Sequence, residues 1–274
     1  MGMNRALVGK EYSNIDAFPV TAEAARAYAD ATDAPPREIA PPMYGVAFTF
    51  AALGAPLFDT DLEVDMMRLV HGDQEMTFVR PVKAGDVIKA SSRVVDIVEK
   101  TSGEIINIGI TAQNQSGDVV LEAKSGLFVR GARKKENLDA EKQERAAEEA
   151  AWDAAPKAWV ATQSVAADQS KRYAEASGDR NPIHLDEDVA KMAGLPGIIL
   201  HGLCTMAFVH NACVKQLGGD PMKVKKLSVR FNRPVLMGDV LTIDARGAQT
   251  GPWNIRVTNQ SGVVVLKNGV AELS

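Results

Sequence analysis

Cysteine is scarce in this chain of 274 residues, which has only Cys204 and Cys213. Because the two lie nine positions apart in an apolar stretch with helical periodicity, neither a disulfide framework nor a thiolate metal site is predicted. The four histidines follow no metal-ligand spacing such as HExxH. A glycine-rich phosphate loop is also missing, and we therefore predict neither a metal nor a cofactor.

A strong excess of one charge and long apolar runs are missing too. The formal net charge is −4 at pH 7, which argues against a nucleic-acid partner. No window has the uncharged apolar length that a membrane-spanning helix needs, and the N-terminal residues lack the apolar core of a signal peptide. With 46% hydrophobic and 24% charged residues, the composition predicts a cytoplasmic globular protein that binds no membrane.

Two copies of one sequence unit are present instead. FVRPVKAGDVI at 78–88 returns as FNRPVLMGDVL at 231–241, with seven of eleven positions identical. NQSGDVVLE at 114–122 returns as NQSGVVVLK at 259–267, with seven of nine identical. The order is the same in both halves, and a period this long indicates duplicated domains and not a solenoid.

A stretch rich in Lys, Glu and Ala separates the copies. Residues 131–156 read GARKKENLDAEKQERAAEEAAWDAAP, which is compatible with an exposed helix but has too few large apolar side chains for a core. We therefore predict an N-terminal domain at 1–130, a charged linker at 131–156 and a C-terminal domain at 157–274.

Each copy has a long apolar helix followed by β-rich segments. The helices are predicted near 43–58 and 202–217, and the second has apolar residues at three- and four-residue spacing. Because Gly45, Gly54 and Pro56 interrupt the first helix, we expect it to be irregular or shortened. One long helix followed by antiparallel strands predicts an α+β architecture in which a sheet wraps around a helix.

The copies differ between two shared anchors. Fifty residues separate Tyr28 from Phe78, whereas fifty-eight separate Tyr173 from Phe231, so the second copy has eight more. This interval contains SGDRNPIHLDEDVA and IILHGL, where the first copy reads YADATDAPPREIAPPMYG. Only the second copy has an aspartate followed by a histidine five positions later, which indicates a task beyond folding.

The segment YAEASGDRNPIHLDEDVA at 173–190 resembles the hydratase motif of the MaoC-like dehydratase family, which includes the (R)-specific enoyl-CoA hydratases. That motif has an aromatic residue, then Ser-Gly-Asp-x-Asn-Pro-aliphatic-His, then a small residue six positions on, and every position is matched. IILHGL resembles the family's entry into its central helix, and the repeated RPVxxGD is also typical. The resemblance implies a double hot dog, that is, two tandem hot-dog domains, a degenerate one followed by a catalytic one.

The same resemblance implies Asp179 and His184 as the catalytic pair and the N–H of Gly202 as the oxyanion donor. Hydration of an enoyl thioester needs a base for water at C3, a proton for C2 and stabilisation of negative charge on the thioester oxygen. Histidine is a good base near neutral pH, and Asp179 can hold the same water. Gly202 begins a helix, where N–H groups are free and a missing side chain lets an oxygen approach.

Five further residues are predicted to contact the substrate: Ser177, Asn181, His201, Lys225 and Arg230. The last two belong to the basic run around KVKK at 223–226, which suits the phosphates of coenzyme A or the acidic surface of an acyl carrier protein. Each of these predictions has a purely structural alternative. The alternatives are a polar Asx-type turn for the motif, a capping histidine at position 201 and a solvated edge for the basic run.

The other two histidines are given no catalytic role: His71 is interpreted as structural and His210 as a helix-face residue. Three functions stay open: reversible hydration of trans-2-enoyl thioesters or dehydration of (3R)-3-hydroxyacyl thioesters, a hot-dog thioesterase, and a non-catalytic acyl-thioester-binding subunit. The intact Asp-to-His spacing favours the first. The residues leave open the acyl group, the carrier and the physiological direction. A degenerate first half is expected to make room for a long or bulky acyl chain, and a homodimer is predicted.

Overall fold

Eleven strands form one antiparallel sheet in the computed structural model, which describes residues 2–131, 138–248 and 250–274. The first half contributes β1 (Glu11–Tyr12), β2 (Phe18–Pro19), β3 (Leu69–Phe78), β4 (Val87–Lys100), β5 (Gly103–Gln113) and β6 (Val119–Arg130). The second half contributes β7 (Lys157–Ser164), β8 (Val224–Phe231), β9 (Val240–Arg246), β10 (Trp253–Thr258) and β11 (Val264–Leu273).

The helices are α1 (Ala22–Ala31), α2 (Gly45–Leu57), α3 (Leu138–Ala154), α4 (Gln169–Ser177), α5 (Glu187–Met192) and α6 (Gly202–Gln216). Of these, α2 and α6 are the central helices, and each buries its apolar residues in the core beside the sheet of its own half. Within the described residues, no helix has both the length and the hydropathy needed to cross a membrane.

The two halves are joined edge to edge. The strand order is β1-β4-β5-β6-β3-β8-β11-β10-β9-β7, with β2 paired to β4. At the centre β3 lies antiparallel to β8, so that Asp73 faces Arg230 and Thr77 faces Lys226. The predicted unit, an antiparallel sheet around a long helix, therefore occurs twice in one continuous sheet.

The repeated segments RPVxxGD and NQSG contact each other in both halves. Asp86 accepts hydrogen bonds from a backbone N–H at 2.9 Å and from the amide of Gln115 at 3.4 Å. Asp239 accepts from the equivalent N–H at 2.9 Å and from Gln260 at 2.8 Å. Both aspartates are buried, and a buried carboxylate needs such partners. The identities between the copies thus stabilise the fold.

The first central helix was predicted to be irregular or shortened, and it is shortened without being interrupted. Helix α2 runs unbroken for 13 residues, compared with 15 in α6. Gly45 is its first residue, and Pro56 lies in its last turn, where the missing N–H of proline removes one helical hydrogen bond. The helix is shortened by two residues and keeps its place against β4 and β5.

Helix α3 lies within the predicted linker, of which residues 132–137 lie outside the described part of the chain. Glu149 accepts from Arg256 of β10 at 2.6 Å, and Glu148 accepts from Lys267 of β11 at 3.1 Å. These pairs attach α3 to the second half of the sheet. The domain boundaries themselves stay a prediction.

Further contacts between the halves involve α1 and α4. Gln169 donates to the carbonyl of Ala31 at 2.6 Å, and Asn211 donates to that of Thr32 at 2.8 Å. Side chains of the second half thereby satisfy the C-terminal carbonyls of α1. The rings of Tyr28 and Tyr173, the repeated tyrosines, lie 5.7 Å apart between centroids.

Candidate active site

A series of side-chain-to-backbone hydrogen bonds builds the turn after α4. Gly178 ends the helix with a φ of 83°, which glycine adopts without strain. The Oγ of Ser177 accepts from the N–H of Asp179 at 3.2 Å. Asp179 Oδ1 accepts from the N–H of Asn181 at 3.1 Å, and Asn181 Oδ1 from that of Ile183 at 3.3 Å. Each oxygen reaches two residues on, which explains the alternation of polar residues in the motif.

His184 ends this turn in a buried position with its ring orientation fixed. It closes a 3-10 turn, Pro182–His184, and its carbonyl accepts from Ser170 Oγ at 2.5 Å. Its ring Nδ1 lies 2.8 Å from the carbonyl oxygen of Ile199. Because a carbonyl only accepts, Nδ1 carries the hydrogen and Nε2 keeps its lone pair. The free nitrogen has the form that a general base requires.

His201 brings the helix entry IILHGL against this turn. Its ring stacks on that of His184, with centroids 3.8 Å apart and 27° between the planes. Its Nε2 lies 3.0 Å from the backbone carbonyl of Asp179, so it donates there. Tyr173 packs against the same ring with centroids 4.8 Å apart. One side-chain oxygen or nitrogen from each of Asp179, His184 and His201 lies within 4.8 Å of the other two.

Burial decides the protonation of both rings. It lowers the pKa of His184 below 6.5, although the hydrogen bond to Ile199 and the charge of Asp179 act in the opposite direction. Burial and the neighbouring His184 lower the pKa of His201 to about 4. Both imidazoles are therefore neutral near neutral pH, and His184 is available as a base.

The two rings have one unprotonated nitrogen each. Each ring of the stacked pair, His184 and His201, gives one N–H to a carbonyl. The remaining nitrogens, His184 Nε2 and His201 Nδ1, therefore have free lone pairs, which suit proton transfer.

Gly202 lies beside this cluster as the first residue of α6. N–H groups in the first turn of a helix have no partner within the helix and lie at its positive end. A Cβ at this position would be 2.9 Å from the ring of Phe231, so the position requires glycine. The geometry leaves the Gly202 N–H suited to an oxygen that gains negative charge.

The other predicted substrate contacts are distributed differently. Ser177 and Asn181 direct their oxygens at the backbone of the turn. Lys225 and Arg230 are exposed on β8, and the charge of Arg230 acts on Glu148 of α3. Among the described residues, neither basic side chain has a hydrogen bond or ion pair with Asp179 or His184, the predicted catalytic pair. Their contact with phosphates, like the substrate contacts of Ser177 and Asn181, stays a prediction.

Sequence reasoning missed two side chains near the site. The sequence analysis assigns no role to Ser170, which lies three residues before the repeated tyrosine, on the buried side of α4. His71 of β3, interpreted as structural, packs edge-on against Phe231 with centroids 5.1 Å apart. Burial lowers the pKa of His71 and the charge of Asp179 opposes this, so the first half reaches the site. His210 is buried on α6 against a phenylalanine ring.

Comparisons with known proteins agree with this geometry. The family description "MaoC like domain" matches residues 149–272, and "FAS1-like, dehydratase domain region" matches residues 6–123. A probable enoyl-CoA hydratase 2 from Dictyostelium discoideum is 30% identical over 77% of this chain and 71% of its own. The 3-hydroxyacyl-thioester dehydratase Y of Mycobacterium tuberculosis is 30% identical over 82% and 80%, respectively. The chain belongs to the MaoC-like dehydratase family.

Solved structures of this family share the fold. The crystal structure of a MaoC-like dehydratase from Phytophthora capsici matches with a TM-score of 0.81, over 100% of this chain and 98% of its own, at 20% identity. The predicted α+β double hot dog is confirmed. The prediction of a hydro-lyase of the MaoC-like family is confirmed by the relatives.

Proposed function

We propose that this MaoC-like dehydratase reversibly hydrates trans-2-enoyl thioesters to (3R)-3-hydroxyacyl thioesters, with Asp179 and His184 acting on one water. The observation that carries the proposal is the state of His184. Its Nδ1 is bound to the Ile199 carbonyl, which leaves the lone pair on Nε2, its ring is buried with a lowered pKa, and the charge of Asp179 acts on it. The R configuration follows from the resemblance to the (R)-specific hydratases.

In the hydration direction His184 Nε2 accepts a proton from the water as the water oxygen attacks C3. Asp179 holds the same water through its carboxylate, and C2 receives a proton by way of the pair. One O–H bond of water and the π bond between C2 and C3 are broken, and C3–O and C2–H bonds are formed, so the reaction needs no further reactant. The approach of acid and base from one side fits syn addition.

Negative charge develops on the thioester oxygen during the attack. The Gly202 N–H at the start of α6 donates to that oxygen, assisted by the positive end of the helix. The neighbouring His201 stacks on His184, which puts the oxyanion donor next to the base.

The substrate is an acyl thioester, carried by coenzyme A or by an acyl carrier protein. Lys225 and Arg230 contribute positive charge for the phosphates or for an acidic carrier surface. The acyl chain extends toward the first half, whose β3 already contacts the site through His71. We further propose that the protein is a cytoplasmic homodimer and that it needs neither a metal nor a cofactor.

The test is to incubate the purified chain with short and long trans-2-enoyl-CoA and to follow the loss of enoyl absorbance. Coupling to (R)- and (S)-specific 3-hydroxyacyl-CoA dehydrogenases assigns the product, and a thiol reagent detects free CoA. The proposal predicts hydration to the R product without release of CoA. Release of CoA would indicate a thioesterase, and an S product would contradict the stereochemistry.

A further inference from the structure

A polar trio lies in the first half, made of the half-buried His71 and the buried Gln74 and Ser125. Gln74 Oε1 accepts from Ser125 Oγ at 2.6 Å and lies 3.1 Å from His71 Nε2, while Gln74 Nε2 donates to the carbonyl of Glu75 at 3.0 Å. Because that carbonyl only accepts, it fixes which end of the amide faces it. His71 therefore donates through Nε2. Gln74 and Ser125 are 5% and 1% exposed, respectively.

The fold does not require this polar pair. Gln74 on β3 faces Ser125 on β6. Gln74 precedes the repeated phenylalanine by four residues, and Leu227 has the same place in the second half. The partner of Leu227 on β11 is Ala271. Leu227 and Ala271 are both 0% exposed. The same place in the same fold is thus filled by an apolar pair, and a buried amide contributes little net stability over such a pair.

The pair borders a small, partly open cavity of about 20 Å³ between α2 and strands β3, β5 and β6. Its wall is apolar except for Gln74, Ser125 and Thr49, and it also includes Leu203. Leu203 directly follows Gly202, the proposed oxyanion donor, so the cavity wall includes a chain neighbour of that residue.

His71 connects the polar pair with the site. The β3–β6 register shifts between His71 and Asp73, and this irregularity lets His71 reach the side chain of Gln74. Such bulges often re-aim a side chain near a functional site. The His71 ring contacts Phe231, and Phe231 lies against Gly202. The polar trio thus extends from the wall of the oxyanion site to the cavity.

We infer that this cavity is a specificity subsite for a hydroxyl or keto oxygen carried by the acyl chain beyond C3. The inference rests on the proposed function, since the chain reaches the cavity only when the thioester lies at Gly202. The Gln74 amide has a second N–H besides the one given to Glu75, and Ser125 Oγ keeps lone pairs after donating to Gln74. Together they offer a donor and an acceptor to one oxygen, for which the small cavity has room, while the apolar wall contacts the carbon that carries it.

Oxygenated acyl thioesters are therefore the preferred substrate class. An acyl chain without an oxygen beyond C3, here called the plain chain, would leave these buried polar groups of the protein without a ligand partner. Sites built to hydrogen-bond a substrate oxygen discriminate strongly against analogues that lack it.

The experiment compares hydration of a trans-2-enoyl-CoA of about ten carbons with isomers that carry one hydroxyl or keto group at successive carbons beyond the double bond. The test variant is Gln74→Leu with Ser125→Ala, which installs the pair that the second half uses at 227 and 271. Ser125→Ala alone is a milder second variant. Ser92→Ala is the matched control, because Ser92 is also a buried serine of the first-half sheet but does not border the cavity.

We expect kcat/KM of the wild-type chain to be at least about tenfold higher for the best oxygenated isomer than for the plain chain. The double variant removes this preference without lowering plain-chain turnover, Ser125→Ala reduces it, and Ser92→Ala keeps it. Equal turnover of all isomers by the wild type overturns the subsite and leaves the hydratase function standing. An undiminished preference for the oxygenated isomer in the double variant also overturns the subsite. If the double variant does not fold, an undiminished preference in Ser125→Ala has the same meaning. Failure to hydrate any enoyl thioester, plain or oxygenated, overturns both.

Discussion

The surroundings of His184, the proposed base, act in opposite directions on its pKa. Burial disfavours the charged ring and lowers the pKa, whereas the Ile199 carbonyl and the charge of Asp179 favour the charged ring. Burial is the largest of these effects. The hydrogen bond to Ile199 contributes something else, because it assigns the hydrogen to Nδ1 and leaves Nε2 free.

The lowered pKa of His184 predicts the acid limb of the rate profile. The neutral ring is the active form, and a lowered pKa keeps it neutral to lower pH. We therefore expect kcat/KM for hydration to stay constant as the pH falls toward 6.5, the ordinary histidine value, and to decline only below it. Initial rates across this range check the prediction, and an acid limb centred above 6.5 would contradict it.

At the scale of elements, the turn after α4 and the start of α6 position the proposed catalytic groups. The turn is ordered by its own side chains, each of which accepts an N–H two residues on. The helix start contributes a backbone donor whose place is fixed by the contact of Gly202 with Phe231. Both elements hold the groups in place before substrate binds, and such preorganisation is a main source of catalytic rate.

Asn181→Ala tests the role of the turn. The change removes the acceptor for the Ile183 N–H, so we expect a loss of about 1 kcal/mol in the free energy of unfolding and about a tenfold lower kcat. Asn259→Ala is the control, because Asn259 accepts two N–H groups in an exposed NQSG turn of the same half. It should lose stability and keep kcat. Equal kcat losses in both variants would show that the turn has no particular role in catalysis.

Gly202→Ala tests the start of α6. The added Cβ meets the Phe231 ring at 2.9 Å and crowds the N–H, so we expect kcat/KM to fall about a hundredfold. Gly45→Ala is the matched control at the first residue of α2, where the Cβ meets Leu121 at 2.7 Å. That variant should lower the unfolding temperature while the remaining folded protein keeps its kcat. Comparable kcat/KM in Gly202→Ala and the wild type would refute the oxyanion role.

At the scale of the whole molecule, the two halves form one continuous sheet. Strands β3 and β8 pair at its centre, and side chains of α4 and α6 satisfy the last carbonyls of α1. The duplicated unit therefore does not act as two independent domains. The contact of His71 with Phe231 shows that the same join also shapes the site.

This join predicts coupled unfolding of the halves. All three tryptophans, at 152, 159 and 253, lie in α3 or in the second half, so their fluorescence reports on that part alone. Far-UV circular dichroism reports on both halves. We expect the two signals to change together in a single urea transition. Two separated transitions would contradict the coupling.

The sequence was sufficient for the features that repeat or that form a local motif. The paired RPVxxGD and NQSG segments predicted two copies of one unit, and the spacing from Asp179 to His184 predicted the turn. Long-range contacts were out of reach. Ile199 acts through a backbone carbonyl, which leaves no trace in residue type, and His71 reaches the site across the β3–β8 join. The disruption expected in α2 is limited to a shortening, because Gly45 is its first residue and Pro56 lies in its last turn.

The most direct test of the central claim is hydration of trans-2-enoyl-CoA by Asp179→Asn and His184→Ala, beside the wild type, with circular dichroism to verify folding. Because both groups act on the same water, we predict that kcat falls about a thousandfold in each folded variant. Hydration by His184→Ala at a rate close to that of the wild type would contradict the account, since the base would then lie elsewhere.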